Sequence, residues 1–137
     1  MTWKSHLLLV VYWAEEKGFT VDLEGNDNCV CLISNIIELN DKIKDLERKT
    51  YIALHEAGHI LVLHSHKDLN LVEPKRRNDN GLDLKDRMKV FLEETEAWER
   101  GYKLGIRLKI PINLDKWEDE KIDALQEYMK WVLKENE

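Results

Sequence analysis

Residues that crosslink or interrupt a chain are scarce in this sequence. Its 137 residues include two prolines and two cysteines, Cys29 and Cys31. The two cysteines are only two positions apart on a predicted strand, so a disulfide between them is geometrically poor. A single cysteine pair, without a second Cys or His pair nearby, is also a weak metal-binding pattern. We therefore expect reduced thiols and a cytoplasmic protein.

A long hydrophobic run is absent too. Residues 7–14 form an apolar run of only eight positions, whereas about 20 are needed to span a bilayer. The sequence Glu-Glu-Lys follows directly at 15–17, with no small-residue cleavage site of the kind that ends a signal peptide. We expect no membrane partner, and a first helix that ends near Gly18.

The chain also lacks an excess of positive charge. It carries 21 Lys and Arg against 27 Asp and Glu, for a net charge of −6 and a pI near 5.4. A protein that binds duplex nucleic acid normally shows a basic face, and the one basic cluster, at 75–77, falls in a predicted loop between acidic helices. We expect no nucleic-acid partner. The length and the 43% hydrophobic content fit one globular domain, residues 1–137.

One short motif is present against this background, the sequence HEAGH at 55–59. It fits HExxH, the signature of zinc-dependent hydrolases. Residues four apart lie above one another on a helix, so His55 and His59 can reach the same metal ion while Glu56 lies beside it. The alternative is a pair of helix histidines in a core or on a surface stripe.

The surroundings of the motif favour a buried helix. Residues 51–54 and 60–63 are apolar, and no proline interrupts 44–67. Gly58 lowers helix stability by about 1 kcal/mol relative to alanine, which indicates that something packs closely against it. We expect a close crossing of a second helix there.

A catalytic zinc site typically has three protein ligands and one open position, so a third ligand is needed. The metzincin pattern HExxHxxGxxH is excluded, because the chain has Val62 and Ser65 where that pattern has glycine and histidine. The gluzincin arrangement takes a glutamate from a second helix. Residues 91–101 offer four acidic candidates, Glu93, Glu94, Glu96 and Glu99. Acidic runs of this kind are usually solvated helix faces, which is the competing interpretation.

Two arguments favour Glu94 as the third ligand. Aligning Ala97 with the alanine of the E-x-x-A pattern selects it. Three residues also share one face of the predicted helix with Glu94, each within about 40° of it: Trp98, Gly101 and Gly105. The two glycines on that face allow a close approach to the motif helix. Glu93 and Glu96 stay open as alternatives.

His55-Glu-x-x-His59 together with Glu94-Thr-Glu-Ala97 resembles the gluzincin-type zincins, which include small minimal gluzincins and the ImmA/IrrE-like and M48-like peptidases. The resemblance covers roughly residues 20–106, and 96–101 is also similar to small phage-encoded metallopeptidases. It implies a zincin-like fold with a zinc ion (Zn2+) on His55, His59 and Glu94. One position departs from the pattern. Those families usually have Asp or Asn four residues after the ligand glutamate, whereas this chain has Trp98, which puts the hydrogen bond to a zinc-binding histidine in doubt.

The coarse pattern predicts an α+β, zincin-like fold with an N-terminal helix, a small three-stranded sheet, the HExxH helix, a Glu-ligand helix and a C-terminal helix. The predicted bounds are a helix at 3–17, a meander of strands at 19–23, 29–33 and 36–39, helices at 44–67 and 82–108, a loop at 68–81 and a last helix at 116–135. Asn113 or Asp115 is expected to cap that last helix. Its expected inward positions are Trp117, Leu125, Tyr128, Met129 and Val132.

The expected chemistry is zinc-assisted peptide hydrolysis of a specific intracellular protein or peptide. Glu56 would accept a proton from the attacking water and pass it to the leaving amine. Tyr51, His66 and Tyr102 are candidates for stabilising the oxyanion. His66 is too far to share the zinc, since about 10 Å of helix axis separates it from His59.

Two other functions compete with the enzyme. One is a catalytically weak or inactive zincin-fold module that binds a partner in a metal-dependent way, which Trp98 would favour by tightening the site. The other is a helical interaction protein in which the motif is accidental. If the protein is a peptidase or a metal-dependent binding module, an extended peptide could add to the edge of the sheet. No feature predicts the oligomeric state.

Overall fold

The computed structural model describes residues 1–65 and 82–134. These ranges contain α1 (Trp3–Glu16), β1 (Thr20–Gly25), β2 (Cys29–Cys31), β3 (Ile36–Asn40), α2 (Leu46–Ser65), α3 (Leu84–Arg107) and α4 (Leu114–Val132). Helices and one small three-stranded sheet make this an α+β structure, as the sequence predicts. No helix in the described ranges is long and apolar enough to cross a membrane. The predicted loop at 68–81, the basic cluster at 75–77 and His66 lie outside the described residues.

Local signals set the bounds of α1. The Thr2 side chain accepts a hydrogen bond from the backbone N–H of Ser5 at 3.2 Å, which caps the first turn. Gly18 has a φ of 87° and takes the left-handed conformation just beyond the helix, where the sequence predicts the end. The rings of Trp3 and Tyr51 meet edge to face at 5.6 Å, so α1 supports one side of α2.

The predicted meander is wrong. The strand order is β1-β3-β2, with β1 parallel to β3 and β2 antiparallel to it. The carboxylate of Glu38 on β3 accepts hydrogen bonds from the backbone N–H groups of Asn26 at 2.7 Å and Asp27 at 3.3 Å. These bonds hold the connection between β1 and β2 at the end of β3, so β3 takes the central place. A Cβ at Gly25 would collide with the Glu38 side chain, so this position needs glycine.

β2 is shorter than predicted and lies at the edge of the sheet. It ends at Cys31 instead of residue 33, because the chain turns at 32–35, where Asn35 has a φ of 58°. Among the described strands it pairs with β3 alone. Its other edge is therefore open to a further strand within this part of the chain.

α4 packs against α3 through one face. Asn113 caps it by accepting a hydrogen bond from the backbone N–H of Lys116 at 3.2 Å, as predicted. Trp117 and Val132 are buried, and Leu125 and Tyr128 are partly buried. The prediction that Met129 points inward is wrong, since 39% of it is exposed.

Candidate metal centre

α2 and α3 bring one buried group of side chains together. His55 and His59 come from α2, and Glu94 comes from the middle of α3. The Nε2 atom of His55 lies 2.9 Å from Oε2 of Glu94, and the Nε2 atom of His59 lies 3.0 Å from Oε1. One carboxylate thus faces both imidazoles. All three residues are at most 8% exposed.

This group can hold a metal ion. Its three ligand atoms lie within 4.8 Å of one another. Neighbouring ligand atoms around a tetrahedral zinc ion are about 3.4 Å apart, so a separation of up to 4.8 Å needs to change by about 1.4 Å at most. Two imidazoles and one carboxylate also match a common donor set of catalytic zinc sites. The residues present therefore fit the ion that the sequence predicts.

Electrostatics favour positive charge at this position. Burial alone would lower the pKa of His59, but the charge of Glu94 and hydrogen bonds to Glu93 and Glu94 outweigh it and raise the pKa to about 10. Burial would raise the pKa of Glu94, but the two histidines hold it well below its usual range. For His55, burial is likewise outweighed by the charge of Glu56 and by hydrogen bonds to Glu56 and Glu94, and the pKa is raised. The carboxylates thus attract a cation, whether a proton or a metal.

The second nitrogen of each imidazole also faces a carboxylate. The Nδ1 atom of His55 lies 3.3 Å from Glu56, and that of His59 lies 3.6 Å from Glu93. Sequence reasoning treated Glu93 only as an alternative ligand and missed this role. The acidic run gave no signal that separates Glu93, which is 4% exposed, from glutamates that face solvent.

The other acidic candidates point away from the group. Glu96 forms an ion pair with Arg100 at 2.9 Å, and Glu99 forms one with Lys103 at 3.2 Å. Both pairs lie at the surface of α3 and are partly or largely exposed. Of the four glutamates considered as ligands, the structure places Glu94 against both histidines.

Glycines explain how the two helices come close enough. A Cβ on Gly58 would collide with the backbone of Ala97, and a Cβ on Gly101 would collide with the backbone carbonyl of Leu54. Each helix therefore presents a bare backbone to the other. The close crossing expected at Gly58 is confirmed. It lets the short side chain of Glu94 reach both imidazoles.

Trp98 occupies the position where the sequence departs from the gluzincin pattern. It is 2% exposed, and its ring lies parallel to that of His55, with 4.2 Å between centroids and 7° between planes. The ring of Trp117 meets the ring of Trp98 edge to face, with 5.1 Å between centroids. The gluzincin pattern has a hydrogen-bonding carboxylate or amide at this position, whereas this chain has an aromatic ring.

No family model, curated protein or solved structure matches this chain. The interpretation of the site rests on its residues and their geometry.

The group opens into a cleft of about 830 Å³. Residues of α2, α3, α4 and the β2 region surround the cleft. On the α4 side its lining includes three acidic residues, Glu120, Asp123 and Glu127. Arg48 on α2 reaches across and contacts Glu120 at 2.6 Å. Cys29 and Val30 bring the open edge of the sheet to the same cleft as His55 and Glu56.

The tyrosines predicted as oxyanion helpers lie elsewhere. The hydroxyl of Tyr51 donates to Glu47 at 2.6 Å and accepts from the backbone N–H of Asn113 at 2.9 Å, and the residue is 1% exposed. Tyr102 packs towards Trp117. Within the described residues, the tyrosine that lines the cleft is Tyr128 on α4. Sequence reasoning counted it only as an inward position, because helix periodicity does not show which distant helix will face the motif.

Proposed function

We propose that this protein is a zinc-dependent metallopeptidase with a zincin-like fold. The observation that carries the proposal is the buried pair of histidines from one helix, closed by Glu94 from a second helix and exposed to a cleft beside Glu56. His55, His59 and Glu94 would hold the ion. This is the donor set and the partly open arrangement of a catalytic site, whereas a structural zinc site is closed by four protein ligands.

The residues of the chain divide the work of hydrolysis. A bound zinc ion supplies Lewis acidity, which polarises a carbonyl group and makes water a better nucleophile near neutral pH. Glu56 is buried yet lines the cleft, so it can accept a proton from the attacking water and deliver it to the leaving amine. Tyr128 lines the cleft and brings a hydroxyl donor for the oxyanion.

The open edge of β2 suggests how a substrate binds. Its backbone N–H and C=O groups can pair with an extended peptide, which then lies beside the histidines and Glu56. Backbone pairing tolerates many sequences, so selection falls to the side chains around the cleft. We propose an intracellular protein or peptide as the substrate, and the acidic residues of α4 favour cationic side chains in it.

Glu56→Gln tests the proposal most directly. The natural protein and the variant are each supplied with one equivalent of zinc and incubated with a peptide mixture from a digested bacterial proteome. New peptide termini are then identified by mass spectrometry. We expect cleavage by the natural protein, and unchanged zinc content but no cleavage for Glu56→Gln. Equal cleavage by both would refute the role of Glu56.

Metal content is measured on the same samples. His59→Ala should lose zinc, and His64→Ala, an exposed histidine on the same helix, is the matched control that should keep it. A natural protein that binds no zinc would refute the metal centre and leave a helical interaction protein.

A second function is favoured by Trp98. The indole is 2% exposed and fills the space beside His55. A tightly filled site of this kind would suit a module that binds a partner through its metal without cutting it. Stoichiometric zinc together with no cleavage of any peptide by the natural protein would favour this module over the peptidase.

A further inference from the structure

The two imidazoles of the metal group are supported differently. The Nδ1 atom of His59 lies 3.6 Å from Glu93, which has no assigned part in proton transfer. The Nδ1 atom of His55 lies 3.3 Å from Glu56, the residue that the proposed reaction uses as its base. Among the described residues, His55 therefore has no carboxylate whose sole task is to orient it.

The flat face of His55 is covered instead. The indole of Trp98 lies 4.2 Å away, centroid to centroid, with the two planes within 7° of parallel. A histidine that turns about its Cβ–Cγ bond tips its ring out of plane. An indole in van der Waals contact blocks that rotation on the covered side, because aromatic rings cannot approach much closer than about 3.5 Å. The contact therefore holds the direction in which Nε2 points.

Trp98 is itself held in place. Trp117 meets it edge to face at 5.1 Å and 75°, and both residues are 2% exposed. Gly101, one turn further along α3, lies against the backbone of Leu54 and fixes the helix that carries the indole. A ring that cannot move is able to hold its neighbour still.

Stability alone does not explain a tryptophan at this position. Its Nε1 atom is buried and has no hydrogen-bond partner among the described residues. A buried donor without a partner is unfavourable, and an aliphatic side chain such as leucine would fill an apolar site without that cost. What the tryptophan provides at this position is its broad aromatic face against the ring of His55.

We propose that Trp98 is a positioning residue of the metal centre, which sets the ring plane of His55 by stacking where a carboxylate or amide would otherwise do so by hydrogen bonding. The inference rests on the metal-binding part of the proposed function, and it does not depend on peptidase activity.

Two substitutions separate stacking from simple filling of space. Trp98→Phe keeps an aromatic face against His55, while Trp98→Leu keeps apolar volume but cannot stack. Zinc affinity of the full chain is measured by competition with a chromophoric chelator, after circular dichroism has shown that each variant is folded. We expect Trp98→Leu to bind zinc at least about 10-fold more weakly, the size of effect usual for residues that orient metal ligands. Trp98→Phe should stay within about 3-fold of the natural protein.

Trp131→Leu is the control. Trp131 also lines the cleft but packs against Tyr128. This variant should keep the natural affinity. Equal affinities for the leucine and phenylalanine variants, whether both weakened or both natural, would overturn the inference. A natural protein that binds no zinc would overturn the proposed function instead, so the two failures are distinguishable.

A second measurement reads the stacked geometry directly in the natural protein. The indole ring current should shift the ring protons of His55 upfield in the NMR spectrum of the natural protein, and Trp98→Phe should reduce that shift. The His59 ring protons serve as the reference, because the stack is with His55. A His55 ring without an upfield shift would contradict the stacked geometry and the inference with it.

Discussion

Two adjacent glutamates on α3 meet the same two histidines in different ways. Glu94 reaches Nε2 of both imidazoles, whereas Glu93 lies on the far side of His59, near Nδ1. Consecutive residues on a helix point about 100° apart, so both can face a neighbour only if the neighbour is very close. The different ring nitrogens that they meet predict different consequences when each is changed.

Glutamine substitutions should rank these residues. Glu94→Gln removes a charged ligand and should weaken zinc binding by more than about 100-fold, while Glu93→Gln removes an orienting carboxylate and should cost about 10-fold. Glu96→Gln, which changes a surface ion pair with Arg100, is the matched control and should bind as the natural protein does. Chelator competition gives all three affinities. A larger loss in Glu96→Gln than in Glu94→Gln would refute the assignment.

The residues of this group could be predicted from the sequence to different extents. His55 and His59 follow from the HExxH motif and its helical spacing, and Glu94 follows from the E-x-x-A alignment and from the helix face that it shares with Trp98 and two glycines. The proximity of Glu93 to His59 depends on the distance between two helices, which no spacing along the chain encodes.

Glu47 gives a pH-dependent prediction at the same scale. Hydrogen bonds from Tyr51 and Lys116 hold the pKa of this carboxyl below its ordinary value. A lowered pKa in the folded state means that the charged form stabilises the fold above the unfolded pKa, about 4.3, and that this contribution is lost as the pH falls through the folded pKa. Glu47→Gln should therefore destabilise the protein at pH 7, and this loss of stability should disappear at a pH below the folded pKa of Glu47. Urea unfolding at both pH values measures it, and an equal deficit at both would contradict the assignment.

At the scale of elements, the approach of α2 to α3 decides the geometry of the site. Gly58 and Gly101 each lie against the backbone of the other helix, near Ala97 and Leu54. Backbone cannot move aside as a side chain does, so a methyl group at either position must separate the helices. Separation would draw Glu94 away from the histidines.

Alanine at two glycines of α3 should therefore have unequal effects. Gly101→Ala meets backbone and should destabilise the protein by about 3 kcal/mol or more, with weaker zinc binding. Gly105→Ala first meets the end of the Ile112 side chain, which can move, so its cost should be about 1 kcal/mol. Both glycines lie in the same helix, so the gain in helix propensity is the same in each variant. Urea unfolding decides the order, and equal losses would contradict the proposed close crossing.

The helices could be predicted from the sequence better than the sheet. Capping residues and apolar periodicity place α1 and α4 within a few residues, because those signals act over one or two turns. The three strand segments were also found approximately. Their order was not, since β3 is placed centrally by the contact of Glu38 with the connection at 26–28, a contact between residues far apart along the chain.

At the scale of the whole molecule, distant segments build the cleft. α4 closes one side and is attached to both α2 and α3. Arg87 on α3 donates to the carbonyl of Val132 at 3.2 Å, and Arg48 on α2 contacts Glu120 at 2.6 Å. The open edge of β2 borders the same cleft. We call the side of α4 that lines the cleft, with Glu120, Asp123 and Glu127, the wall of the cleft. Because the helix is fixed in this way, the wall presents its charges to any bound chain in a constant arrangement.

The charge of that wall predicts substrate preference. Arg48 pairs with Glu120, and Lys130 pairs with Glu127 at 3.2 Å, so among the described residues Asp123 is left to make the α4 side of the cleft negative, in a chain whose net charge is −6. Opposite charges across a cleft favour binding and speed encounter, and both effects weaken with salt. For the proposed peptidase activity, peptides with Lys or Arg near the cleaved bond should therefore be preferred, and the preference should fall as salt concentration rises.

Neutralising the wall tests this directly. In the double variant Asp123→Asn with Glu127→Gln, kcat/KM for a cationic peptide should fall severalfold relative to that for its neutral analogue, while zinc content stays the same. Glu99→Gln is the matched control, because Glu99 is exposed on α3 in an ion pair with Lys103 at 3.2 Å. The ratio of kcat/KM values for the two peptides, at low and at high salt, is the quantity to measure. An unchanged ratio in the double variant would assign selection to other parts of the cleft, and a change in Glu99→Gln of the same size would show that net charge acts rather than the wall.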